Sequence, residues 1–291
     1  MKKIVVFTFL LLFFGVAVLA QTNESEKKLG TIPLKEALSK NLVRVKIEST
    51  GGHTGNTLKL VCKNTASRSA LRILIPQGQL FDPLDSTRQT LVNAQDTWVV
   101  SGDRKETEVM LQIFCTQAGD VSPDVGCVFS TAALASEPLR QLLKYMAETE
   151  KMADASAQAA VWSISSQHPL AGISDLALRK FTAELLGKDM PGYNIKYRTV
   201  EQVPGRRADL GKAMVVEGNF IYSLEQDEIV FLVLLDASGK VIKRISKDEK
   251  MIKGEHRSGI RLEVHNLSTG KYTLRMQTKK GDVIKDMPVE F

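Results

Sequence analysis

The stretch ETEVMLQIFC, residues 106–115, sets the pattern for the first half of the chain. From Val109 to Cys115 its odd-numbered positions fall on one side of an extended chain, and its even-numbered positions fall on the other. The odd-numbered side is apolar throughout, whereas the even-numbered side includes Gln112. The stretch therefore predicts a β-strand with one face in a protein core.

Four stretches upstream share this two-residue period, and glycine, proline and aspartate separate them, as tight turns require. They are LVRVKIES (42–49), TLKLVCKN (57–64), SALRILIP (69–76) and QTLVNAQDTWVV (89–100). Strands at this spacing suggest an antiparallel sandwich. The arrangement resembles a small Ig-like β-sandwich over residues 41–132, and residues 21–40 before it predict a polar leader followed by a short helix.

The period changes to about 3.6 residues after this region, and residues 133–187 predict three short helices. Ser136 and Ser174 are candidate N-caps for the first and third helices, and Gly187 is a candidate stop. The middle helix lies in ADASAQAAVWSISS (153–166). Helices this short need tertiary burial in water, so we expect them to pack on the N-terminal sandwich as a helical segment.

Residues 188–214 contain two Pro-Gly dipeptides and little periodicity, which predicts a linker. The two-residue period returns over residues 215–291, where Asp236-Ala-Ser-Gly239 predicts a hairpin turn. Pro288 in the last strand predicts a sheet edge. We therefore expect a mostly β fold, α+β overall, with an N-terminal Ig-like β-sandwich, a three-helix segment and a C-terminal Ig-like β-sandwich.

The charge is weakly positive and scattered. Lys and Arg total 39 and Asp and Glu total 33, which gives a formal net charge of +6. The basic pairs Lys27-Lys28, Arg206-Arg207 and Lys279-Lys280 lie in polar stretches rather than in one stripe with aromatic residues. This pattern indicates solvated surfaces and no nucleic-acid partner.

The first twenty residues, MKKIVVFTFLLLFFGVAVLA, have a basic start, an apolar run and small residues Val18 and Ala20 before a cleavage point. They predict a signal peptide over residues 1–20 and a mature chain that begins at Gln21. No other apolar run is long enough to cross a bilayer, so no integral membrane span is expected. We expect an extracytoplasmic protein that is periplasmic, secreted or associated with the outer surface.

Three cysteines remain in a compartment that permits disulfides, namely Cys62, Cys115 and Cys127. Three states stay open at this level: a Cys62–Cys115 bridge, a Cys115–Cys127 bridge, or three buried free thiols. The four histidines share no ligand spacing with the cysteines or with each other, so neither a metal site nor a cofactor is expected.

The C-terminal region carries a family resemblance in three segments, Ile221–Leu224, Leu235–Val241 and Leu267–Leu274. In their order and turn glycines they resemble the Ig-like domain of flagellar hook-capping proteins and the C-terminal sorting domains of the type IX secretion system. The resemblance to the sorting domains implies export across an outer membrane and removal or anchoring of this tail. The whole arrangement is similar to exported proteins of bacteria of the Bacteroidota type, which implies an extracytoplasmic, non-catalytic role.

A second resemblance joins Cys115, in FCTQAGDVSP, with Gln158 and Trp162, in QAAVW. The helix sequence is similar to the Gln-x-Ala-Ile-Trp helix of the thioester domains of bacterial surface adhesins. The resemblance implies that Cys115 carries an acyl group donated by Gln158, that Trp162 shelters the bond, and that an amine opens it.

No enzyme signature appears in a suitable context, so no catalytic residue is assigned. The carboxylates Asp82 and Asp85, and Asp120 and Asp124, lie in turn sequences, and His168 precedes a proline. We expect a secreted or cell-surface binding or structural protein whose ligand, a protein or a glycan of the envelope or exterior, contacts loops 77–88 and 116–126. The alternatives are a covalent thioester adhesin and an extracytoplasmic hydrolase.

Overall fold

The computed structural model describes residues 30–65, 70–102, 104–198, 203–207 and 211–291. The predicted signal peptide lies outside the described residues, as does most of the leader. In the described part, every helix is too short or too polar to span a bilayer. Two groups of strands flank a helical segment, which confirms the expected mostly β, α+β class.

The described strands are β1 Thr31–Pro33, β2 Val43–Thr50, β3 Thr54–Asn64, β4 Leu71–Ile75, β5 Gln79–Pro83, β6 Leu91–Asn93, β7 Thr97–Ser101, β8 Glu106–Cys115, β9 Val125–Leu134, β10 Tyr193–Tyr197, β11 Ala213–Leu224, β12 Glu228–Leu235, β13 Val241–Arg244, β14 Glu249–Met251, β15 Gly254–Glu263, β16 Lys271–Thr278 and β17 Val283–Glu290. The described helices are α1 Leu34–Ser39, α2 Glu137–Glu148, α3 Ala157–Ser165 and α4 Leu176–Leu185, with a 3₁₀ turn at Leu170–Gly172.

The N-terminal strands close into a barrel in the order β2-β3-β8-β6-β5-β9, with β9 pairing back onto β2. The expected N-terminal two-sheet sandwich is therefore corrected to a barrel, beside which β1, β4 and β7 form a small sheet. Residues 89–100 were expected to form one strand. Because the chain turns at residues 94–96, they instead supply β6 to the barrel and β7 to the small sheet.

One core fills the barrel and the space under the small sheet. It includes Leu60, Leu111 and Ile113 from the barrel and Ile73 and Val99 from the small sheet. These side chains are almost fully buried. Burial of apolar area on this scale is the main stabilising term for such a body.

The helices pack on the outside of the barrel. Their core includes Leu139, Leu143 and Val161, which contact the barrel residues Val92 and Phe114 from outside. Ser136 occupies the N-cap of α2 but makes no side-chain cap hydrogen bond.

The expected Ser174 cap of the third helix is wrong. The residue in that position is Asp175, whose carboxylate accepts a hydrogen bond from the Leu178 amide at 2.7 Å. Asp175 also forms an ion pair with Lys151, and this hydrogen-bonded pair holds the pKa of the Asp175 carboxyl below its ordinary value. A negative charge at a helix N-terminus is favourable for the same electrostatic reason.

The C-terminal region has two sheets around one core. One sheet has the order β10-β11-β15, and the other has the order β13-β12-β16-β17, with β14 also pairing with β12. The predicted hairpin between β12 and β13 is present, and β17 with Pro288 lies at a sheet edge as predicted. The predicted linker 188–214 is wrong over residues 193–197, because they form β10, a strand of this body.

Candidate functional site

The site lies where the end of β8 meets α3. Leu111, Ile113 and Cys115 belong to the core inside the barrel, whereas Phe114 belongs to the core beneath the helices. The alternation of a β-strand therefore gives β8 two buried faces at this end, one toward the barrel interior and one toward the helical segment.

Gln158 of α3 binds the backbone of Cys115 at both of its polar groups. Its side-chain Nε2 donates to the Cys115 carbonyl at 2.8 Å, and its Oε1 accepts from the Cys115 amide at 3.2 Å. The same amide also donates to the His53 carbonyl at 2.9 Å. Gln158 is only 7% exposed, and its carboxamide adds two hydrogen bonds to the buried backbone of Cys115.

The structure thus brings Cys115 and Gln158 together, although the contact runs through the Cys115 backbone. The Cys115 side chain is fully buried among the residues inside the barrel. Desolvation by burial raises the pKa of the Cys115 thiol well above its ordinary value. The sulfur faces the barrel interior, and Gln158 approaches from the helical side.

All three cysteines are free thiols in this structure. The Cys62–Cys115 bridge conflicts with the strand register, because Cys62 pairs with Thr107, eight residues before Cys115 on β8. Eight residues of extended strand span roughly 26 Å, whereas bridged cysteines have Cα atoms within about 7 Å. Burial also raises the pKa of the Cys62 and Cys127 thiols.

Trp162 lies one turn after Gln158 and is 1% exposed. Its ring stacks near His53, at a centroid distance of 6.3 Å, and meets His168 edge-on at 6.2 Å. The indole Nε1–H finds no acceptor among the described residues. Burial lowers the pKa of His53 below its ordinary value of 6.5, so the imidazole is neutral at neutral pH.

A pocket of about 420 Å³ opens beside these residues, and we call it the junction pocket. It is lined by His53 and the start of β3, the C-terminal end of β8, the α2–α3 loop and α3. The lining residues are His53, Thr54, Gly55, Gln112, Phe114, Met152, Ala153, Asp154, Ala155, Gln158 and Trp162. Asp154 is the acidic member of this lining, and its carboxylate accepts a hydrogen bond from the Ser156 amide at 2.7 Å.

The four loop aspartates make contacts with neighbouring side chains. Arg88 lies between Asp85 and Asp124, at 3.5 Å and 2.6 Å from their oxygens. Asp82 accepts a hydrogen bond from the Thr90 hydroxyl at 2.8 Å. Asp120 contributes its backbone carbonyl to the Gln89 side chain at 2.6 Å.

The expected ligand loop 77–88 is wrong over residues 79–83, because they form β5 of the barrel. The expected ligand loop 116–126 contacts the end of this stretch through a bridge between Arg88 and Val121. Neither loop lines the junction pocket. His168 lies behind Trp162 rather than in the pocket lining. Within the described residues, no group of three or more His, Cys, Asp or Glu side chains is arranged to hold a metal ion.

The sequence did not single out His53, Gln112 or Asp154 as site residues. His53 lies in GGHTGN, which predicts only a turn, and the pocket forms from segments about 100 residues apart in sequence. Comparison of the chain with protein-family models finds no match, and comparison with curated proteins finds none either.

Proposed function

We propose that this chain is an exported, non-catalytic binding protein whose ligand occupies the junction pocket. The observation that carries the proposal is the buried Trp162 indole, whose N–H lacks an acceptor in the described residues while its ring lines the pocket. A buried donor without a partner is costly, and a ligand oxygen that reaches it would remove that cost.

The side chains that line the pocket suit the recognition of an uncharged ligand. His53 is neutral because burial lowers its pKa, and the Asp154 carboxylate is engaged by the Ser156 amide. The lining combines aromatic and thioether surface with the amide of Gln112. Such surfaces suit a neutral ligand with both apolar and hydrogen-bonding faces, and the volume fits one or two sugar rings.

Two further parts of the proposal come from the sequence. The first twenty residues support export, and the turn pattern of residues 215–291 supports an Ig-like module at the C-terminus. The two sheets around one core in that region are consistent with such a module. In this proposal it is structural and presents the barrel and its pocket outside the cytoplasm.

Binding can be measured with the chain's own tryptophans, which are Trp98 and Trp162. In Trp98→Phe protein, Trp162 is the single indole reporter. We expect N-acetylglucosamine, which carries a carbonyl acceptor, to shift the emission of Trp162 saturably and to be recovered chemically unchanged. Glucose, which lacks the acetamido group, should bind more weakly.

Two alanine variants provide a matched control. Ala155 is exposed and lines the pocket, whereas Ala237 is exposed in a distant turn. Ala155→Phe should abolish the emission shift by filling the pocket, and Ala237→Phe should leave it intact. An equal response in both variants would place binding elsewhere.

A second candidate, the covalent thioester, is favoured by one contact: the Gln158 carboxamide lies against Cys115. In that reaction the Cys115 sulfur attacks Gln158 Cδ, and the amide nitrogen leaves as ammonia with the thiol proton. The thiol would first have to turn from the barrel interior toward α3. Incorporation of methylamine at residue 158, together with release of a Cys115 thiol, would support this candidate; no incorporation would exclude it.

A further inference from the structure

The chain segment before the predicted C-terminal domain already belongs to it. β10 pairs with β11 from Tyr193 opposite Gly218 to Tyr197 opposite Ala213. A Cβ on Gly218 would lie 2.6 Å from the Gly192 carbonyl oxygen, so β10 approaches β11 as closely as glycine allows. The boundary at residue 215 therefore falls inside a sheet.

A buried arginine joins this sheet to the helices. Arg179 of α4 is 1% exposed, and it donates from Nε to the Ile173 carbonyl at 2.7 Å and from Nη1 to the Tyr193 carbonyl at 2.9 Å. The Tyr193 hydroxyl accepts from the Glu290 amide at 2.9 Å. Ala171, from the 3₁₀ turn, is part of the C-terminal core.

Residues 203–207, which lie between β10 and β11 in sequence, contact the loop between β8 and β9 of the barrel. Ser122 donates its amide to the Arg206 carbonyl at 2.8 Å and its hydroxyl to the Val203 carbonyl at 3.3 Å. Val121 forms an antiparallel bridge with Arg207. The C-terminal body is thus attached both to the helices and to the barrel.

A row of rings runs from the same sheet to the junction pocket. Tyr197 of β10 lies 5.9 Å from His168, and His168 lies 6.2 Å from Trp162 in the pocket wall. Close-packed side chains hold one another in place, so Tyr197 supports Trp162 from behind through His168.

From these contacts we propose that the C-terminal sandwich is a permanent part of the pocket-bearing body, and that β10 positions the pocket wall through Tyr197. The sandwich is then not a removable sorting tail, because removal would strip β10 of its partner strand and uncover Arg179. The inference concerns the free protein and holds whether or not the junction pocket binds a ligand.

The first experiment cleaves the chain between β10 and β11 and keeps both pieces in the sample. A recognition sequence for a site-specific protease is inserted after Lys212, and the full-length Trp98→Phe protein is cleaved there. We expect both pieces to elute together on gel filtration and the Trp162 emission to stay unchanged. Separation of a folded C-terminal piece, with Trp162 emission still unchanged, would overturn the proposal.

The second experiment tests Tyr197 itself in the Trp98→Phe protein. Tyr197→Leu should move the emission of Trp162 to longer wavelength and increase its quenching by acrylamide, with the far-UV circular dichroism retained. Tyr272→Leu is the control, because Tyr272 stacks on Phe291 elsewhere in the same sandwich. Trp162 emission that is unchanged in Tyr197→Leu, or shifted equally in both variants, would overturn the positioning role.

Discussion

Gln158 and Trp162 lie one turn apart on α3 and have different roles. Gln158 uses both ends of its carboxamide on the Cys115 backbone, so it fixes the helix to the end of β8. Trp162 keeps its indole N–H without an acceptor in the described residues. Because both polar groups of the Gln158 side chain are hydrogen-bonded, its role is structural. The binding proposal rests on Trp162.

Replacing Gln158 with Glu should destabilise the protein by about 1–3 kcal/mol, because the variant loses the donor to the Cys115 carbonyl and buries a carboxylate beside it. The free energy of unfolding in urea measures this effect. Gln141→Glu, on the exposed face of α2, is the control; it loses a hydrogen bond to Glu137 and places two exposed carboxylates one turn apart, which should cost only about 0.2–0.5 kcal/mol. Equal stability of the two variants would mean that the Gln158 contacts contribute nothing.

His53 should make the protein sensitive to mild acid. Its folded pKa lies below the ordinary value of 6.5, so between the two values the unfolded chain binds more protons than the folded chain. The stability that depends on neutral His53 is complete above 6.5 and is lost as the pH falls below it. Urea unfolding at about pH 7.5 and about pH 5 should show a smaller loss for His53→Gln than for the parent. Equal losses would contradict the burial of a neutral His53.

At the residue scale, the resemblance of QAAVW to a known helix motif led to a thioester role for Cys115, Gln158 and Trp162, which stays a prediction. The structure places the Gln158 carboxamide against the Cys115 backbone, and Trp162 lies beside Gln158 in the pocket lining. The sequence could not predict that Gln158 binds the backbone of Cys115 rather than its sulfur, because this depends on which face of β8 points into the barrel. His53 and Asp154 carry no local signal, since each lies in an ordinary turn sequence.

At the scale of elements, Gly218 determines how closely β10 can lie against β11. A Cβ at this position would also lie 2.9 Å from the Tyr193 Cα, so the backbone would have to move. Gly218→Ala should therefore cost about 1–3 kcal/mol of stability in thermal or urea unfolding.

Gly259 on β15 is the matched control for Gly218. It lies in the same sheet, and nothing stands within 4 Å of a Cβ built there. Gly259→Ala should be neutral or slightly stabilising, because alanine restricts the unfolded chain. A loss of stability as large in Gly259→Ala as in Gly218→Ala would show that close approach is not the cause.

The sequence predicts the strands whose hydrophobic residues alternate strongly, and it does not predict those with weak alternation. β8 and β12 have long apolar faces, whereas β9 reads VGCVFSTAAL and exposes many of its side chains. β5 lies in a stretch rich in turn residues, and it is a strand because β6 and β9 flank it. Barrel closure depends on these two strands, so local sequence predicted a sandwich instead.

At the scale of the molecule, the bodies are joined more closely than the sequence suggested. The predicted linker 188–214 supplies β10 to the C-terminal body, and Arg206 within it binds Ser122 in the β8–β9 loop of the barrel. We expect one cooperative thermal transition in calorimetry, with equal calorimetric and van't Hoff enthalpies, because the joint buries Arg179 and part of the C-terminal core. Two well-separated transitions would indicate independent domains.

We propose that the protein is exported with loss of residues 1–20, keeps its C-terminal body and binds its ligand without a covalent bond. The intact mass of the exported protein under non-reducing conditions tests all three parts at once. We expect a mass that corresponds to a chain beginning at Gln21, retaining residues 215–291 and carrying three free thiols. A mass lower by one ammonia, or a chain that ends before the C-terminal sandwich, would contradict it.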